Sequence, residues 1–132
     1  MFITEELKLK VWEKGIVVDK YPSNRVRKDA CGAFILFEDF GNRNSIFGWE
    51  IDHIIPVSEL KNKNIPDAKI DHIYNLRPLN CKNNASKGDN YPYYTARCVA
   101  NDSAATNVET SEGKVVHENI QNLLKSLYSW ED

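Results

Sequence analysis

Two stretches decide how this chain is read: GWEIDHIIP, residues 48–56, and DHIYNLRPLNCKNNASKGDNYP, residues 71–92. Residues 49–55 carry the aromatic and β-branched side chains of a strand, and Pro56 stops it because proline brings no N–H to a ladder. The run NLRPL, 75–79, gives a second strand. Residues 83–87 permit a brief helix, with Gly88 as its C-terminal stop. The order is thus a strand ending in Asp52-His53, an intervening loop, a strand opened by Asn75, and a short helix bearing Asn84 and Lys87. Strand alternation places Asp52 and His53 on opposite faces, so a bend or bulge before Pro56 is needed to bring them together.

Those residue types suit phosphodiester hydrolysis, which needs a base to activate water and a cation to offset charge growing on the phosphoryl and leaving oxygens. Histidine near neutrality can accept the proton of water. Carboxylate and amide oxygens are hard ligands of the kind Mg²⁺ takes. The dipeptide alone says little, since Asp71-His72 repeats it eighteen or so residues on and reads as loop or strand-entry structure.

Working outward, Thr4 caps a short helix with Ile3, Leu7, Val11 and Trp12 on one face, stopped by Gly15. A polar stretch follows, and CGAFILFEDFG reads as a strand ending near Phe40 or Gly41. Residues 58–71, with Pro66 inside, read as a loop, 91–100 as a further strand, and 101–113 as a polar loop. Val116, Ile120, Leu123, Leu124, Leu127 and Tyr128 recur at helical spacing, which predicts a C-terminal amphipathic helix. Trp12 and Trp49 are expected in the core and His117 at the surface. No repeat or low-complexity segment is present, so one domain spanning 1–132 is expected.

In its ordered set of Asp52-His53, Asn75 before Leu76, and Asn84 in NNASK, the chain resembles the HNH endonuclease family over roughly residues 11–92. It is also similar to the HNH domain of RNA-guided CRISPR nucleases, where an Asn fills the third position and a Lys three residues later matches Lys87. KDACGAFI, GNRNS and GWEIDHI resemble, more narrowly, a group of small stand-alone bacterial HNH proteins. The resemblance implies an α+β fold: a ββα-metal (HNH, His-Me finger) core at about 48–92, with an N-terminal helix, an additional strand region and the C-terminal amphipathic helix.

It also implies roles: His53 as general base, Asn75 as the residue that orients it, and Asp52 and Asn84 as ligands of one divalent ion. Asn84 in place of a third-position histidine favours Mg²⁺ or Mn²⁺. Many family members fold around zinc held by two Cys-x-x-Cys pairs, whereas this chain has only the widely spaced Cys31, Cys81 and Cys98, so no structural zinc is expected and the thiols read as buried.

The net charge of −2 argues against an indiscriminate polyanion binder, yet the charge is unevenly spread. Residues 8–28 hold seven basic against two acidic side chains, and 61–97 hold seven against three. Arg27, Lys28, Arg77 and Lys87 are therefore expected to contact nucleic acid, with Arg25 and Arg97 as further candidates. With no apolar segment resembling a leader or a span, a cytoplasmic protein without membrane contact is expected. The sequence thus points to a metal-dependent endonuclease acting on DNA. An RNase or toxin effector on the same scaffold, and an inactive nucleic-acid-binding subunit of a phage packaging or defence complex, are the alternatives, and no oligomeric state is legible.

Overall fold

The computed structural model describes residues 1–129. Among them lie five α-helices and three small antiparallel sheets, a mixed α+β architecture. Helix α1 (Glu5–Trp12) is capped by Thr4, whose Oγ1 accepts the Leu7 N–H at 3.0 Å, and it buries Val11 and Trp12. Strands β1 (Ile16–Val17), β2 (Val26–Lys28) and β3 (Phe34–Leu36) form the first sheet. The long strand expected over 31–41 is thereby shortened, because Phe37–Asp39 turns into a 3₁₀ segment.

The second sheet pairs β4 (Trp49–His53) with β5 (Leu76–Asn80), in register from Trp49 against Asn80 to His53 against Leu76. Its two faces differ. Trp49, Ile51 and Leu76 pack toward α1 with Val11, Trp12 and Ile35, and the two indoles lie 5.2 Å apart. Glu50, Asp52 and Arg77 face the other way, toward helix α4 (Cys81–Lys87), which Asn80 caps and Gly88 stops at φ +52°. Gly48 is required where it stands: an added Cβ would come within 2.0 Å of the Asn42 carbonyl oxygen.

Two loop expectations are corrected. Residues 58–71 contain helices α2 (Val57–Asn62) and α3 (Asp67–Ile70), each preceded by a proline, a residue that fits the start of a helix because no N–H is needed there. Leu60 and Ile70 anchor them in a second core with Ile54, Ile55, Leu79, Tyr94 and Leu124. Residues 101–113 are mostly strand: β6 (Tyr93–Asn101) turns into β7 (Thr106–Val115), whose polar side chains are largely exposed while its backbone pairs with β6. Composition misleads there because an edge strand open to water on its faces needs no apolar alternation.

Helix α5 (Glu118–Leu127) lays Ile120, Leu124, Leu127 and the following Tyr128 on the second core, but Leu123 is 42% exposed and off that face. Its N-terminus is capped by His117, an exposed residue as expected. Buried Asp29 ties the pieces together. It accepts N–H bonds from Cys31, Ala33 and Asn80 and from the Asn83 side chain, and burial raises its pKa. Asn83 in turn holds the β6 bulge through Arg97 N–H and Cys98 N–H, so α4 is fixed against both hairpins. Among the described residues, no helix is long and apolar enough to cross a membrane.

Candidate functional site

The residues singled out in the sequence gather around the β4–β5 hairpin, in two groups on its two sides. On the α4 side lies Asp52, 4% exposed. Its Oδ2 accepts from Arg77 Nε at 2.9 Å, and its Oδ1 lies 3.3 Å from the Lys87 ammonium. Strand register explains the first contact, since Asp52 and Arg77 stand directly opposite each other. Helix spacing explains the second: Lys87 follows Asn84 by three residues and so shares its face. The Lys87 side chain is fully buried, and burial lowers its pKa. It also donates to the His53 carbonyl at 3.1 Å.

Asn84 reaches a residue the sequence reading passed over. Its Nδ2 donates to Glu50 Oε1 at 2.9 Å, and Glu50 is also gripped by Arg43 through two bonds of 2.8 and 3.0 Å. The Arg43 bond, aided by the Asn84 bond and against the opposing effect of burial, holds the Glu50 carboxyl below its ordinary pKa. The signal was available: Glu50 precedes Asp52 by two, the spacing that puts two side chains on one strand face.

His53 leaves by the other side. Its Nε2 lies 2.8 Å from Asp71 Oδ1, and the two side chains are 18% and 34% exposed. The bend expected before Pro56 does exist, at Ile54 and Ile55, but it falls after His53, through which pairing runs in unbroken register. It therefore leaves the alternation of Asp52 and His53 intact. The sequence marks Asp71 only as loop or strand-entry structure, and nothing local identifies it as a partner of His53.

Asn75 is fully buried and bonds backbone across the chain. It accepts from Ile55 N–H at 2.8 Å and donates to the carbonyls of Ile55 at 3.1 Å and Ile70 at 3.3 Å. The Lys14 ammonium, bonded to the carbonyls of Ile73 and Leu76, fastens the same turn to the end of α1.

The four basic residues expected at phosphates are all engaged by the protein itself. Arg77 is buried against Asp52 and the Tyr94 ring, and Lys87 is buried as described. Arg27 donates to the carbonyls of Glu13, Gly15 and Ser23, and Lys28 pairs with Asp102 at 2.9 Å. Lys82 and Arg97 are exposed instead, along a groove between α4 and the β6–β7 hairpin that Ser86 and Glu109 also line.

Among the described residues, no three His, Cys, Asp or Glu side chains gather as a metal-holding group. The hard-oxygen side chains on the α4 side are Glu50, Asp52 and Asn84, the last turned to Glu50 through its Nδ2. Their chemistry fits Mg²⁺ or Mn²⁺, since all are hard oxygens. The local charge is less favourable, because these two carboxylates already face Arg43, Arg77 and Lys87. Comparison with family models, with curated proteins and with solved structures returned no match.

Proposed function

We propose that the chain is a metal-dependent HNH-type nuclease, with β4, β5 and α4 as its ββα-metal unit and DNA as its substrate. One observation carries the reading: α4 returns Asn84 and Lys87 onto the Glu50 and Asp52 carboxylates, while Asn75, buried at the start of β5, clamps the chain just beyond His53. These contacts bring two of the three motif positions to one side of the hairpin and support the reading to that extent.

In this reading Asp52 and Asn84, with Glu50 beside them, would hold a divalent ion, which when bound would supply positive charge against the charge growing on the phosphoryl and leaving oxygens. His53, which leaves by the other side of the hairpin toward Asp71, would take the proton of the attacking water only once its ring and the α4 side reach the same phosphate, and Asn75 keeps its strand end in place. Lys87 offsets part of the Asp52 charge and fixes the His53 carbonyl. The excess of cations around the two carboxylates makes the site receptive to a phosphate, which brings its own negative charge. Lys82 and Arg97, exposed beside α4, extend a cationic path for the backbone of the nucleic acid.

A second reading has an observation of its own. Both Asp52 oxygens are engaged by internal cations, an arrangement that also suits a binding module with no chemistry. Nicking of supercoiled plasmid separates the two. A nuclease cuts with added Mg²⁺ or Mn²⁺, stops with chelator, and loses cutting but not DNA binding in His53→Ala. Plasmid bound yet uncut under every metal condition favours the binding module. Single-stranded RNA run alongside distinguishes an RNase.

A further inference from the structure

We infer that Asp71 is the positioning residue for His53: it fixes the imidazole with its proton on Nε2 and leaves Nδ1 as the atom that accepts the proton of water. The inference rests on His53 being the base. Its geometric support is the 2.8 Å contact between His53 Nε2 and Asp71 Oδ1, within a pair largely shielded from solvent. An ionised carboxylate only accepts hydrogen bonds, so a neutral imidazole facing it must donate from Nε2.

The scaffold around the pair distinguishes it from an opportunistic surface contact. Asn75 binds Ile55, two residues past His53, and Ile70, one residue before Asp71, so a single buried amide sets the spacing of both partners. Ile70 is itself in the core, and Tyr128 Oη donates to the Lys69 carbonyl at 2.8 Å, which anchors α3 a second time. The nearby Asn75 amide, bonded to the end of β4, and the remote Tyr128 thus both act to hold Asp71 where His53 meets it. The sequence separation of eighteen residues in this contact would otherwise leave a short side chain on a loop free to turn away.

The proton and electron bookkeeping follows from the tautomer. Water loses a proton to His53 Nδ1, its freed electron pair forms the new P–O bond, and the bond to the 3′ oxygen breaks with its electrons. That oxygen takes a proton from solvent. With the other tautomer Nδ1 carries a hydrogen and has no lone pair to offer, so a carboxylate at Nε2 decides whether the ring is competent.

The test is nitrogen-15 NMR of the His53 ring in the full chain at about pH 8, where an ordinary imidazole is neutral, together with plasmid nicking. The wild-type ring is expected in the Nε2–H form. Asp71→Ala should convert it to a mixture and lower kcat about 10- to 100-fold, a part of what a positioned base supplies, with KM for plasmid little changed. Asp71→Glu should restore the Nε2–H form and part of the rate. A wild-type ring in the Nδ1–H form, or an Asp71→Ala ring and rate like the wild type's, overturns the inference. Should Asp71→Ala fail to fold, the wild-type spectrum still decides the tautomer. Because the spectrum needs neither metal nor substrate, a chain that never cuts DNA yet shows the Nε2–H form overturns the nuclease reading while leaving the pairing itself established.

Discussion

The chain contains the dipeptide Asp-His twice, and the two copies are put to opposite uses. At the end of β4, Asp52 is buried between Arg77 and Lys87, and His53 turns away to Asp71. At the end of α3, Asp71 serves that first histidine, and His72 serves only its own turn: its Nδ1 accepts the Tyr74 N–H at 3.0 Å, and its ring packs against Tyr74 at 4.6 Å. The same two letters therefore give a charged core, a buttressed imidazole and a capping residue. What differs is the element that ends there. A strand in a two-stranded sheet sends neighbours to opposite faces, whereas a helix end lets a side chain fold back on its own backbone.

The contrast is broken most sharply by exchanging the histidines for alanine. His53→Ala should lower the nicking rate by about 10²- to 10⁴-fold, the range for loss of a positioned base, with DNA binding and thermal midpoint close to wild type. Equal rates for His53→Ala and wild type in a folded protein would place the base elsewhere. Next in size is Asn75→Ala, which removes the clamp between the two copies. It strips the buried Ile55 N–H of its partner and two carbonyls of theirs, and should cost about 3 kcal/mol of stability in a urea titration. A cost under about 1 kcal/mol would mean that the two regions are not held through Asn75.

Lys87→Met probes the charged side. Removing one partner of a buried pair usually costs about 3–5 kcal/mol, but Asp52 keeps Arg77, so about 2 kcal/mol is expected from the lost Lys87 bonds. The same variant should bind Mn²⁺ more tightly, a change that calorimetry reads directly, since one positive charge leaves the Asp52 carboxylate. Smallest is His72→Ala, whose effect should stay within about 1 kcal/mol and a few-fold in rate, because one exposed capping bond is lost. Abolished cutting in a folded His72→Ala protein would reverse the assignment of the two copies. Thiol labelling gives an independent check on packing: burial pushes Cys31 up to about 12 and Cys81 and Cys98 up to about 11, so all three should resist alkylation until the chain is unfolded.

Local pattern carried much of this molecule. The aromatic and β-branched run after Gly48 predicted β4, the Thr4 cap predicted α1, Gly88 ended α4 with a positive φ, and helical spacing predicted α5. Each depends on side chains within a few residues of one another, where a period or a cap is visible along the chain. The buried amide is different: only the resemblance to a known family pointed to Asn75 as an orienting residue, and no local period marks it.

Pairing across the fold was not legible. Asp52 and Arg77 stand 25 residues apart, Lys87 lies 34 from the His53 carbonyl it binds, and Asp29 meets Asn80 across 51. Arg77 and Lys87, expected at phosphate, face Asp52 inside the protein, because composition gives a residue's charge but not which buried carboxylate it will face. Polar β7 likewise shows no period of its own, and only hydrogen bonding to β6 makes it a strand. The sequence by itself determined which residues could do chemistry and the order of elements that bears them. Tertiary structure decided which of those residues meet, since burial of a charge is tolerated only where an opposite charge or a donor is folded against it.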